Sequence, residues 1–249
     1  TAIRMATLNA AECFDLKDRG AIAPGYRGDV VLLDDLKDFH VNRVFVEGAL
    51  VAEEGKYLPE IKKCDISSVK GSVIVKDFSK EKFKMNLKSN KVNVIKILPG
   101  GVVTAKDTAE IELDANGEFV RNPEVDLVKV AVVERHQGTG NVACGFLKGY
   151  GIKEGAVALS VAHDSHNIIV VGVNDEEMEF AVNSLIEQEG GIVLVKEGKV
   201  IESMPMPIAG LMSDQSGEWV DQKLTDIHEK AYEELGICGD VEPVMTLCF

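Results

Sequence analysis

Val161-Ala-His-Asp-Ser-His-Asn-Ile-Ile-Val-Val-Gly-Val173 sets five consecutive polar residues, His163 to Asn167, between two apolar runs. Ala158 to Ala162 and Ile168 to Val173 are rich in branched aliphatic side chains and read as buried strands. A polar knot between buried strands is costly unless its groups are satisfied or used. His163 and His166, three residues apart and accompanied by an acid and an amide, form a kit for proton transfer, metal ligation or holding a polar heterocycle. The alternative is a polar turn whose side chains cap backbone groups.

Outward from the knot, the second half alternates strand and helix. Leu127 to Val133 reads as a buried strand, and Cys144 to Gly151 as a short helix ending on glycine. Asn174-Asp-Glu-Glu opens a helix with an N-cap and first-turn acids; Met178, Ala181, Val182, Leu185 and Ile186 lie on one face. Ile192 to Val195 and Lys199 to Glu202 form a hairpin across Glu197-Gly198, and Ser216 to Leu235 is a last amphipathic helix. The first half reads differently. Thr1 to Leu16 is helical, Asp29 to Asp34 a strand, and Phe39 to Glu47 with Ala49 to Ala52 a hairpin around Gly48. Short β-like runs follow at Val73 to Val75, Val92 to Leu98, Gly101 to Thr104 and Ala109 to Leu113, with a turn at Asp114 to Gly117. Pro59 to Lys70 is a charged linker. The expected class is α/β (α+β): a small β unit over residues 1–58, then a mixed-sheet α/β domain over 59–249.

Totals exclude several classes. The 249 residues are 45% hydrophobic, enough for one large domain or two smaller ones, and only 6% aromatic, so aliphatic side chains fill the core. A net charge of −14 opposes binding to a phosphate backbone, so no nucleic-acid partner is expected. The apolar runs are too short to span a bilayer, and no membrane partner is expected. Five cysteines, Cys13, Cys64, Cys144, Cys238 and Cys248, lack paired spacing. Their odd number favours reduced thiols and a cytoplasmic setting. The chain begins at Thr1 inside a helical pattern, as a piece of a longer protein would.

Three polar clusters carry the candidate chemistry, with a weaker fourth at the Pro99-Gly100-Gly101 turn. They are Glu134 to Asn141, directly after the strand ending at Val133; the knot His163 to Asn167; and Ser203 to Asp214. The candidate residues are His136, His163, Asp164, His166, Asn167, Ser213 and Asp214. Gly138-Thr-Gly-Asn141 lacks the Lys-Ser/Thr of a phosphate loop and the full dinucleotide fingerprint. No His-x-His occurs, and no metal ligand is assigned with certainty. His40 and His228 receive no role. Interrupting apolar strands three times is easiest to sustain if the clusters satisfy one another, so they are expected to converge. If the knot stays extended, His163 and Asn167 share a face, and His163 rather than His166 approaches His136. Asp164 joins only if a turn or bulge breaks the strand.

At these clusters the chain resembles a known family. His136-Gln-Gly-Thr-Gly-Asn141, Ala162-His-Asp-Ser-His-Asn167 and Pro207-Ile-Ala-Gly-Leu-Met-Ser-Asp214 look like the carboxy-terminal domain of bacterial and archaeal adenine deaminases, of the amidohydrolase superfamily. Ala6-Thr-Leu-Asn9, Gly20 to Gly25 and Gly28 to Leu36 are similar to the segment where such enzymes leave the metal-binding barrel for their small β domain. The resemblance implies that residues 1–58 are the end of the barrel and part of the β-sandwich domain, and 59–249 the extra α/β domain. It implies hydrolysis of adenine to hypoxanthine and ammonia in purine salvage. It also implies a divalent metal, iron or manganese with zinc as a third option, held in a barrel that this sequence does not contain. The implied partners are adenine, the amino-terminal barrel portion and further copies in a homo-oligomer. The fragment alone is expected to be inactive. A competing reading makes it a non-catalytic lid or assembly module that mediates dimerisation.

Overall fold

The computed structural model describes residues 1–249, which divide into two compact units, Thr1–Cys64 and Asp65–Phe249. In the first unit, helix α1 (Ala2–Arg4) runs through a π-helical turn at Met5–Asn9 into α2 (Ala10–Cys13). Strands β1 (Val30–Leu33), β2 (Val41–Val46), β3 (Ala49–Glu53) and β4 (Lys56–Tyr57) form an antiparallel sheet in sequence order. Glu47 and Gly48 turn β2 into β3, both at positive φ, 54° and 79°, as a tight hairpin matching the strand twist requires. Ala11 is the only buried side chain of this unit, while Ile3, Phe14, Ile22, Leu36 and Tyr57 are exposed.

The second unit is built on an eight-stranded sheet. Its strands are β5 (Lys91–Ile97), β6 (Thr104–Glu110), β9 (Leu127–Val133), β10 (Val142–Lys148), β11 (Ala156–Leu159), β12 (Ile168–Gly172), β13 (Gly191–Lys196) and β14 (Lys199–Pro205); β7 (Glu112–Leu113) and β8 (Phe119–Val120) make a separate small hairpin. The order is β14-β13-β11-β12-β9-β10-β5-β6, antiparallel throughout except for the parallel pair β5/β10. Helices α3 (Asp175–Glu187) and α4 (Gly217–Glu233) cover the sheet. Alternation along β11 sorts its two faces. Val157 and Leu159 join the core that holds Ile227 and Ala231 of α4. Ala156 and Ala158 join the core that holds Met178, Ala181, Val182 and Leu185 of α3. The helices therefore lie on opposite faces, and β11 is buried on both sides. This explains why the central strands read as continuous apolar runs. The N-cap of α3 is Asn174, whose Oδ1 accepts from Glu177 N at 2.8 Å, and Ser216 caps α4.

Three expectations are corrected. Cys144 to Gly151 is not a helix: Val142–Lys148 is β10, paired residue for residue with β9, from Val142↔Val133 to Lys148↔Leu127. Ladder pairing on both edges overrides a weak local preference. Residues 73–75 and residues 101–103 lie outside any strand. Within the first of these runs, Ile74 N donates a single bond, 2.7 Å long, to Arg135 O. Within the second, Val103 O accepts from Leu98 N at 3.3 Å, closing the turn that joins β5 to β6. A further helix, α5 (Met245–Cys248), buries Leu247 and Cys248 against the α4-side core.

Candidate functional site

Strand register brings the three polar clusters to one end of the large sheet. Residues 134–141 connect β9 to β10, and residues 160–167 connect β11 to β12; because Ile168 pairs with Val133, the two connections lie side by side. Leu159 pairs with Ile192 and Gly191 with Pro205, so the segment after β14 emerges at the same end.

A residue not singled out from the sequence ties them together. Arg135 follows β9 and is only 1% exposed. Its Nε donates to His166 O at 2.5 Å, Nη1 to Ser72 O at 3.3 Å and Nη2 to Ala209 O at 3.2 Å, and its backbone N donates to Asn167 Oδ1 at 3.3 Å. No carboxylate pairs with the guanidinium, and burial lowers its pKa. Ser160 adds a second tie: its Oγ donates to Gly210 O at 2.5 Å and accepts from Gly191 N at 2.7 Å. Both partners of these ties are backbone groups of distant segments, which is why side-chain motifs gave no sign of them.

The first connection is shaped by Glu134. Its carboxylate accepts from the backbone N of His136, Gln137 and Thr139 and from the Thr139 hydroxyl, at 2.5 to 3.0 Å. Donation from the Thr139 and Gln137 amides holds its pKa down at about 2. Gly140 sits against Lys82, whose Nζ donates to Gly140 O at 2.5 Å.

The knot is a turn and not extended strand: residues 163–165 reverse the chain and His166 takes φ 50°, a left-handed conformation that His tolerates better than most residues. This changes which groups meet. His136 Nε2 reaches the knot at the Ser165 carbonyl, 2.8 Å away, and not at the His163 ring. His163 Nε2 lies 2.9 Å from Asp164 Oδ1, its backbone N donates to Cys248 O at 2.7 Å, and its ring stacks on Phe249 with centroids 5.1 Å apart. Asp164 is thus joined to His163 through the turn. His166 Nδ1 is buried without a hydrogen-bond partner, as is Ser72 Oγ. Ser213 and Asp214 do local work: Ser213 Oγ accepts from Gln215 N, Asp214 Oδ1 from Gln215 Nε2, and Lys70 Nζ is 3.9 Å from Asp214 Oδ2.

Chemically, this end of the sheet presents an exposed Asp–His pair, a second exposed imidazole at His136 and an unpaired buried nitrogen on His166. Such groups can orient a polar heterocycle or pass a proton. They do not make a metal centre, since none of the three histidines comes within ligand reach of two further donors. All five cysteines are free thiols. At the opposite end, beside Lys129 and Gly172, a cleft of about 450 Å³ is lined by four basic and four acidic residues, a balance that selects no sign of charge. No helix is long and apolar enough to cross a membrane.

Residues 101–249 match the adenine deaminase C-terminal domain, and residues 1–51 match the amidohydrolase family. Among curated relatives, adenine deaminase 2 of Desulfotalea psychrophila is 64% identical over 248 residues, covering 100% of this chain and 43% of the relative. Adenine deaminases of Ligilactobacillus salivarius and Clostridium acetobutylicum are 48% and 41% identical over 249 residues, covering 100% of this chain and 43% and 44% of theirs. The chain thus spans less than half the length of the curated relatives it matches.

Proposed function

Because the chain belongs to the adenine deaminase C-terminal domain family, we propose that it is the carboxy-terminal portion of an enzyme that hydrolyses adenine to hypoxanthine and ammonia in purine salvage. The observation carrying this is the whole-chain similarity to proteins named adenine deaminase, of which it covers 43%. Residues 1–58 would close the metal-binding barrel and contribute to the small β domain, in keeping with the amidohydrolase match over 1–51. Residues 59–249 would form the added α/β domain. The barrel portion is the first partner, further copies of the enzyme the second, and five unbridged thiols fit a cytoplasmic setting.

The divalent metal of the superfamily, iron, manganese or zinc, would supply an activated water. The histidines of the polar end do not fit it, as their geometry lacks a third donor, so no step is assigned to them through a metal. What these residues can do is bind. His136, His163, Asp164, His166 and Asn167 present donors and acceptors suited to the edge of a purine, and Arg135 fixes the backbone from which they project. A covering domain also keeps bulk water from a reacting centre.

One observation favours the lid or assembly reading: the polar end spends most of its groups on backbone carbonyls and amides, as a structural network does. The two readings separate in the full-length protein. If the end binds substrate, His163→Ala raises KM for adenine with the oligomeric mass unchanged. If it serves assembly, KM holds and the mass shifts.

A further inference from the structure

We propose that Asp34, His40 and Glu54 form a binding site for a first-row divalent cation, with zinc the best match. The three residues are set by the small sheet. Asp34 follows β1 and its backbone N donates to His40 O at 3.0 Å, so these two face each other across the β1–β2 connection. Glu54 follows β3, and its backbone N donates to Asn42 O at 2.9 Å, which brings it to the start of β2. Three strand ends thus deliver an imidazole and two carboxylates to one spot.

The side chains meet there. His40 Nδ1 is 2.5 Å from Asp34 Oδ2, and His40 Nε2 is 3.7 Å from Glu54 Oε2. One ligand atom from each of the three lies within 4.8 Å of the others. Zinc holds N and O donors at about 2.0 to 2.2 Å in a tetrahedron, which places them roughly 3.3 Å apart. The side chains are about half exposed, 55%, 47% and 56% for His40, Asp34 and Glu54. Metal centres commonly orient their carboxylates by outer hydrogen bonds. Here Asn42 Nδ2 donates to Asp34 Oδ1 at 3.0 Å, leaving Oδ2 turned to the imidazole.

Charge and donor type select the ion. Two carboxylates and a neutral imidazole carry −2, which a dication neutralises. A nitrogen donor beside two oxygens suits zinc and its first-row neighbours better than calcium or magnesium, which favour all-oxygen shells. The fourth position stays open to water. Asp35 adds a further negative charge beside His40, and Arg43, on β2, is taken up by Glu53 at 2.7 Å.

The test is titration of the metal-stripped 249-residue chain with zinc chloride by isothermal calorimetry, with calcium chloride as the comparison. The expected result is one equivalent of zinc that disappears in His40→Ala and in Glu54→Gln, weakens about tenfold in Asn42→Ala, and persists in His163→Ala. Circular dichroism accompanies each variant; should His40→Ala fail to fold, Glu54→Gln, which only removes a charge, carries the decision. The proposal is overturned if zinc binds neither tightly nor stoichiometrically below millimolar concentration. It is equally overturned if His40→Ala and Glu54→Gln retain every equivalent at unchanged affinity, or if calcium binds as well as zinc.

Discussion

Gly210 and Arg135 lie against each other so closely that a Cβ on Gly210 would stand 2.7 Å from Arg135 Nη1. Gly210 also takes φ 71°, where an L side chain is strained. The packing of the segment after β14 against the buried guanidinium therefore depends on a missing side chain. Gly210→Ala should destabilise the fold by about 1 to 3 kcal/mol and loosen residues 206–214. Urea unfolding measures the first effect, and faster amide exchange at Ala209 and Leu211 the second.

Arg135→Met removes the donors to His166 O, Ser72 O and Ala209 O. Stranding each carbonyl costs about 1 kcal/mol or more, so a loss of at least about 3 kcal/mol is expected. Arg135→Lys should recover only part of it, because an ammonium cannot reach three carbonyls in a planar fork. An Arg135→Lys variant as stable as wild type would show that the geometry of the fork contributes nothing.

Glu134 gives a pH-dependent signature. Its pKa is held near 2 in the folded chain, against an ordinary value of 4.5. A depressed carboxyl contributes stability that is complete above 4.5 and is lost as pH falls toward 2. Glu134→Gln should therefore be less stable than wild type at pH 7, and the gap should narrow as pH falls below the ordinary value. Chemical denaturation at neutral pH and at two acidic points, about pH 4.5 and about pH 3, reads it; a gap constant across that range contradicts the assignment.

Lys129, 7% exposed, donates to Asp175 Oδ1 and Oδ2 at 2.7 and 3.0 Å and to Phe83 O at 3.0 Å. Removing the acid strands a buried ammonium and takes a negative charge from the first turn of α3, whereas removing the lysine leaves a partly exposed carboxylate at a favourable helix end. Asp175→Ala should therefore cost more than Lys129→Met, about 3 kcal/mol against about 1. Thermal unfolding of the two variants decides the order.

Much of the architecture was legible in the residues. Leu127 to Val133 is a strand with those bounds, Asn174 caps the next helix, and Glu197-Gly198 turns the last hairpin. Each follows from a local rule: a buried apolar run, an acceptor at an N-cap, a glycine at positive φ. The strand Val142–Lys148 is not legible locally because Gly145 and the glycines at 149 and 151 mimic a helix end, while its determinant is pairing with β9 and β5. At the candidate site, the polar clusters could be found because polar residues interrupt apolar strands. The roles of Arg135, Glu134 and Ser160 could not, because nearly all their partners are backbone groups, at positions 72, 136, 137, 139, 166, 191, 209 and 210. Every residue offers such groups, so no side-chain pattern marks the partner. The sequence leaves extended knot and turn both open, because nothing local decides between them; the turn at residues 163–165 directs His136 to the Ser165 carbonyl.

The central claim, that this chain is the carboxy-terminal portion of an adenine deaminase and completes rather than performs the hydrolysis, is tested by ammonia release from adenine. The 249-residue chain and the full-length protein are assayed side by side with iron, manganese or zinc supplied. The account predicts no release above background from the chain and turnover on the order of 10 per second from the full-length protein. Comparable turnover by the chain alone, or none on adenine by the full-length protein, would contradict it.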